Sequence, residues 1–183
     1  YSPAAGTGLS SHELNLPGCY KDVKDTTATA LFKIRRNDKS EFLYRGTDTT
    51  DVHFIAWTTT PWTLPSNTGL VVGEKITYAN IRSFNPYTGD AVTIVMAKDL
   101  IASMFNPEGA EMEMDDYNKG DKKIPYRILD EFPGSELVDI KYEQLIDWIN
   151  PGEGAFRVVS GDFVTTEEGT GIVHIAPTFG ADD

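Results

Sequence analysis

Two stretches of the sequence set polar groups inside apolar, strand-like surroundings. The first is Trp57-Thr58-Thr59-Thr60-Pro61-Trp62-Thr63-Leu64-Pro65-Ser66-Asn67. Three consecutive hydroxyls follow a short apolar run, and Pro61 pushes Thr60 out of helical conformation. Side chains alternate along an extended backbone, so Thr58 and Thr60 are expected to share a cavity while Thr59 faces elsewhere. Hydroxyls at a strand end donate and accept, and can hold a water or a sugar. The second stretch runs Gly169-Thr170-Gly171-Ile172-Val173-His174-Ile175-Ala176-Pro177-Thr178-Phe179-Gly180-Ala181-Asp182-Asp183. A carboxylate there can hold a substrate ammonium, and the imidazole of His174 can orient a water or a hydroxyl. Taken singly, each stretch has a plainer reading that the residues alone favour. Threonine is common in strands. A core histidine followed by acids at a helix start is equally ordinary.

Other reactive schemes are missing from the sequence. It holds no G-x-S-x-G elbow, P-loop or G-x-G-x-x-G. His12, His53 and His174 lack H-x-x-x-H spacing, which speaks against a zinc site. The single cysteine, Cys19, excludes a disulfide framework and reads as a small apolar filler.

The elements that must position these groups are mostly short strands. Ala28–Arg36, Val52–Trp57 and Thr68–Val72 are β-rich. Ile76–Phe84 and Ala91–Ala97 form a hairpin around Asn85-Pro86-Tyr87-Thr88-Gly89-Asp90. Lys98–Phe105 changes to helical spacing until Asn106-Pro107. Tyr126–Leu129, Leu137–Ile140, Phe156–Val159 and Gly171–Ile175 complete the strands, and Tyr142–Ile149 is expected as a helical turn. Residues 1–27 and 107–123 read as irregular. This pattern predicts a mainly β barrel or sandwich with a few short helices. The 183 residues, 40% hydrophobic, suit one domain with a proper core. Acids outnumber bases 28 to 16, giving a net charge of −12. That excludes a stand-alone nucleic-acid binder, which needs a basic face. Lys21, Lys24, Lys33, Arg35, Arg36 and Lys39 are the best basic patch, with Lys119, Lys122 and Lys123 a second. No run of about eighteen apolar residues exists to span a membrane. A chain opening on Tyr1 and closing on Asp182-Asp183 is expected to be excised from a longer protein.

Together, W-T-T-T-P-W-T-L-P-x-N and G-T-G-I-V-H-x-A-P-x-F-G-x-D-D resemble the two signature stretches of the editing domain of isoleucyl-tRNA synthetase. Ser2-Pro3, Gly6-Thr7-Gly8-Leu9-Ser10 and Tyr20-Lys21-Asp22-Val23 look like that family's entry into the insertion. A gap of about 110 residues between the signatures adds support. Valyl and leucyl relatives carry Thr-Thr-Arg-Pro where Thr59-Thr60-Pro61-Trp62 stands here. The nucleotide-binding HIGH and KMSKS motifs are absent, so the chain is not expected to activate isoleucine. The resemblance implies a single editing domain over 1–183, with 1–27 and 176–183 near junctions to a catalytic core. It implies the distorted β-barrel of the valyl, leucyl and isoleucyl editing domains, and hydrolysis of valine wrongly joined to isoleucine tRNA. By it, Asp183 grips the α-ammonium, Thr58, Thr59 and Thr60 hold the terminal ribose and the attacking water, and His174 limits side-chain size. Trp62 and Asn67 lie around the same pocket. It implies no metal, no cofactor and no covalent intermediate. The implied partners are the aminoacylated 3′ end of tRNA and the rest of a synthetase chain. A cytoplasmic, monomeric fragment without a membrane contact is expected. A free-standing deacylase and a binding module that does not cleave its ligand stay open as alternatives.

Overall fold

A computed structural model describes residues 2–22 and 24–179. Among these, eight strands carry the fold: β1 (Ala28–Lys33), β2 (Val52–Thr58), β3 (Gly69–Val72), β4 (Thr77–Phe84), β5 (Ala91–Ala97), β6 (Arg127–Pro133), β7 (Arg157–Ser160) and β8 (Ile172–Ile175). The helices are one turn each, α1 (Ser11–Leu14) and α2 (Ile101–Met104), with several 3-10 turns between strands. Among the described residues, no helix is long and apolar enough to cross a membrane.

One sheet has the order β1-β2-β5-β4-β6 and the other β7-β3-β8. The β4–β5 hairpin turns at Asn85-Asp90, where the Asn85 amide donates to the Asp90 carbonyl at 2.8 Å. β2 runs parallel to β5, and β3 parallel to β7; the other pairs are antiparallel. Phe32, Phe54, Leu70, Tyr78, Ile81 and Tyr142 fill the centre of the core, fully shielded from water.

The sheets are not closed into a barrel, contrary to the expected distorted barrel; β1 and β6 remain edges. The missing stave is Leu137–Ile140. Leu137 and Ile140 are buried as a strand would bury them, but the segment turns instead. Asp139 takes the left-handed φ of 65°, and the Ile140 amide donates back to Leu137. Aspartate tolerates that conformation, and it ends any ladder. Single bridges, Ile34 with Tyr142 and Lys141 with Arg157, tie the two sheets along this side.

Tyr142–Ile149 forms no helical turn. Tyr142 is held in a bridge, its ring edge-on to Phe32 and Phe156, and Trp148 and Ile149 lie exposed. α1 was hidden in the irregular N-terminal stretch, although Ser10 and Glu13 cap each other reciprocally there. Cys19 is exposed rather than a filler, its thiol donating to the Glu13 carbonyl.

Candidate active site

The two polar stretches meet where β2 ends beside β8. Pro61 opens a 3-10 turn, Pro61–Ser66, and Thr60 sits before it at φ −121°, ψ 64°. Pro61 fixes its own φ and bars Thr60 from helical values, so the chain bends there. Thr58 is buried at the end of β2, Thr59 is exposed, and Thr60 is half-buried. The expected alternation therefore holds. The Thr58 and Thr60 hydroxyls lie 3.2 Å apart, and the Thr60 amide donates to Thr58 Oγ1 at 3.0 Å.

The cluster continues through Thr63, which strand alternation does not single out. Thr63 is buried, its Oγ1 2.8 Å from the Thr60 carbonyl oxygen and 3.1 Å from His174 Nε2. A 3-10 turn nearly eclipses residues three apart, which stacks Thr63 over Thr60. The Thr60-Pro61-Trp62-Thr63 spacing was the available signal.

His174 reaches the cluster because of the turn that starts β8. Gly169 and Gly171 adopt φ of 77° and 70°, and any side chain at Gly171 would run into Ala97. Between them Thr170 is buried, its hydroxyl donating to the Ile55 carbonyl at 2.7 Å while its own carbonyl accepts from Ala97. This knot pins the start of β8 to β2 and β5. Ladder pairing with β3 then sets His174 opposite Leu70, half-buried. β8 ends in a turn at Ala176–Phe179 with Thr178 at φ 78°, rare for a β-branched residue. Asp183, like Asp182 beside it, lies outside the described residues.

Trp62 is exposed, on the 3-10 turn between Thr60 and Thr63. Asn67 is buried and fully engaged. Its amide donates to the Gly69 carbonyl at 2.9 Å and, more weakly, to that of Ile175, and its oxygen accepts from the Tyr142 hydroxyl at 2.7 Å. Burial pushes the Tyr142 phenol well above its usual range, so it stays a neutral donor. Asn67 thus fastens the end of the 3-10 turn to β8 and to the bridge between the sheets.

The expected basic patch is largely neutralised. Lys33 pairs with Asp51 and Glu143, Arg36 with Glu41, and Lys39 with Asp139. In the second patch Lys123 pairs with Glu108. These pairs are exposed and contribute little to stability, but they reduce the charge facing a polyanion.

No family model matches the chain. Among solved structures, it resembles GlLeuRS-CP1 (TM-score 0.57, 17% identity, 81% of this chain and 52% of that one). It also resembles the P. knowlesi cytosolic leucyl-tRNA synthetase editing domain (TM-score 0.52, 15% identity, 84% and 59%). At such identities the likeness defines the fold, which is that of the editing domains of class I aminoacyl-tRNA synthetases. In sequence, the chain corresponds end to end to one segment of isoleucine--tRNA ligases. It is 62% identical over 183 residues to that of Bacteroides fragilis and 59% over 184 residues to that of Porphyromonas gingivalis. The Clostridium tetani enzyme is 38% identical over 183 residues. All of this chain is matched, but it spans only 16% of the first two relatives and 14% of the third.

Proposed function

We propose that the chain is a hydrolytic proofreading domain that removes valine mischarged onto isoleucine tRNA, and that it acts as one editing domain within a synthetase. The observation that carries this is the hydroxyl and imidazole cluster of Thr58, Thr60, Thr63 and His174 on an editing-domain fold. An aminoacyl ester is already activated, so placing a water against its carbonyl is most of the task. Thr58 and Thr60 supply oriented hydroxyls for the water and the terminal ribose. Thr59 points outward, with no hydrogen bond holding its hydroxyl among the described residues, and is placed to meet the incoming adenosine. His174 lines the pocket beside them, and Trp62 covers it from the solvent side. Asp183 is assigned the substrate ammonium. Asn67 acts through the scaffold, by its bond to Tyr142. One methylene discriminates by only about 10–200-fold in an apolar pocket, the choice of isoleucine over valine by isoleucyl-tRNA synthetase being a standard example of that range. A second, size-excluding site therefore has a clear purpose.

The proposed partners are the aminoacylated 3′ end of tRNA and the remaining synthetase chain, in a cytoplasmic setting. With its lysines and arginines so largely paired, the domain by itself binds tRNA weakly and with steep salt dependence. The test is release of amino acid from valyl-tRNA and isoleucyl-tRNA, both built on isoleucine tRNA, at high protein concentration. Faster release of valine, lost in Asp183→Ala, supports the proposal. Equal release of both amino acids, or valine release unaffected by Asp183→Ala and His174→Ala, overturns it. If neither is cleaved, binding of a non-hydrolysable valyl-adenosine separates lost tRNA docking from a wrong assignment. The same experiment decides against a module that binds valyl-adenosine without hydrolysing any ester.

A further inference from the structure

We infer that Thr63 is the positioning residue that fixes the ring of His174, keeping Nε2 protonated and leaving Nδ1 as the nitrogen that takes up and releases a proton. The catalytic consequence rests on the editing proposal above; the ring state does not.

The Thr63 hydroxyl has a single proton to give. Its Oγ1 lies 2.8 Å from the Thr60 carbonyl oxygen, an atom that can only accept. The proton is therefore committed to that carbonyl, and lone pairs of Thr63 Oγ1 remain for its other neighbour. That neighbour is His174 Nε2 at 3.1 Å. Two lone pairs cannot satisfy each other across such a distance, so Nε2 must carry a hydrogen and donate it. The Thr60 hydroxyl, 3.4 Å from Thr63 Oγ1, is a much poorer alternative acceptor.

The geometry is held from both sides. On one, the Thr63 amide also donates to the Thr60 carbonyl, at 3.0 Å, so backbone and side chain grip the same oxygen. Pro61 and Pro65 stiffen the turn between them. On the other, the β3–β8 ladder holds His174 opposite Leu70. The hydrogen bonds then run in one direction, from His174 Nε2 to Thr63 and from Thr63 to the backbone of Thr60. A ring so arranged cannot accept a proton at Nε2. When the attacking water adds to the ester carbonyl and gives up a proton to this ring, the proton goes to Nδ1.

The deciding measurement is a long-range nitrogen–proton spectrum of the imidazoles in the nitrogen-15-labelled protein, with His174 assigned by its loss in His174→Gln. Above its titration, the neutral ring is expected to be protonated at Nε2. In Thr63→Val, which keeps the shape and loses the hydroxyl, the ring shifts toward a mixture of tautomers, and Thr63→Ser restores the wild-type state. Hydrolysis of the valyl ester follows the ring: kcat falls about tenfold in Thr63→Val with little change in KM, and recovers in Thr63→Ser. A ring protonated at Nδ1 in the wild type overturns the inference, whatever the hydrolysis assay shows. So does a Thr63→Val protein with an unchanged tautomer or an unchanged kcat. If Thr63→Val does not fold, the wild-type spectrum decides alone. A wild-type ring protonated at Nε2 in a protein that hydrolyses no ester overturns the editing proposal and leaves the ring assignment standing.

Discussion

β2 serves two regions of different character. Val52, Phe54, Ala56 and Thr58 face inward, toward the space between the sheets, and Thr58 ends that row in the hydroxyl cluster. His53, Ile55 and Trp57 face the other way, and Ile55 and Trp57 floor a cleft of about 600 Å³. Its further walls include Leu31, Val92, Ile94, Met104, Phe105 and Tyr87. The cleft offers room and apolar surface, with few polar groups aimed into it. The cluster at the strand end offers little room but several groups already oriented by one another. Ester hydrolysis needs a placed water, so preorganised hydroxyls outweigh volume as a sign of the reacting centre. One residue of strand register separates the two surfaces, which makes β2 a strand that must not slip.

Substitutions on the two sides should separate them sharply. Asp183→Ala and Thr60→Val are expected to reduce valyl-tRNA deacylation by about a hundredfold or more, on the scale of losing an oriented polar group. Tyr87→Ala and Met104→Ala, on the rim of the cleft, should leave it unchanged. Equal losses on both sides would erase the distinction.

A smaller effect is expected behind the cluster. Tyr142→Phe strands the buried Asn67 oxygen and should cost about 1–3 kcal/mol in chemical denaturation. It should cost more stability than activity if Asn67 works through the scaffold. A full loss of deacylation with unchanged stability would instead put Asn67 at the substrate.

The outward row carries its own pH signature. Burial holds the His53 ring below its ordinary value of 6.5, with Asp51 raising it and Lys33 lowering it in return. The folded state therefore prefers a neutral ring, while the unfolded chain takes up a proton near 6.5. Stability is full above that value and declines as pH falls below it toward the folded-state value. A His53→Leu variant should flatten the melting-temperature profile between roughly pH 7 and pH 5.5, and an unflattened profile would deny the ring that role.

The smallest expected change is at the turn after β8. Thr178→Gly relieves a left-handed β-branched residue and should stabilise by about 1 kcal/mol, read from the denaturation midpoint.

What the sequence made legible follows from local physics. The β4–β5 hairpin was readable because β-rich runs flank a Pro- and Gly-containing turn. Alternation alone separated Thr59 from Thr58 and Thr60. Leu137–Ile140 misled because burial alone cannot distinguish a strand from a buried turn, and one left-handed aspartate decides between them. Thr63 was missed because a 3-10 turn, with its three-residue period, follows directly on a two-residue one. The partnership of Asn67 with Tyr142 joins distant segments, and no spacing rule reaches it. The ion pairs that quench Lys33 and Lys39 are likewise tertiary.

β3 is the middle strand of its sheet, and both its neighbours come from far downstream, at 157–160 and 172–175. Until those segments arrive, Leu70, Val71 and Val72 have no ladder on either edge. Closure of so large a loop is slow, and exposed apolar edges invite pairing with other chains in the interval. On a ribosome the hydroxyls of β2 emerge early, yet they stay without their imidazole until the final strand is made and docked. Assembly of the reacting centre is thus among the last events of folding, and a nascent chain stalled before β8 carries a nearly complete larger sheet but no second wall to the site.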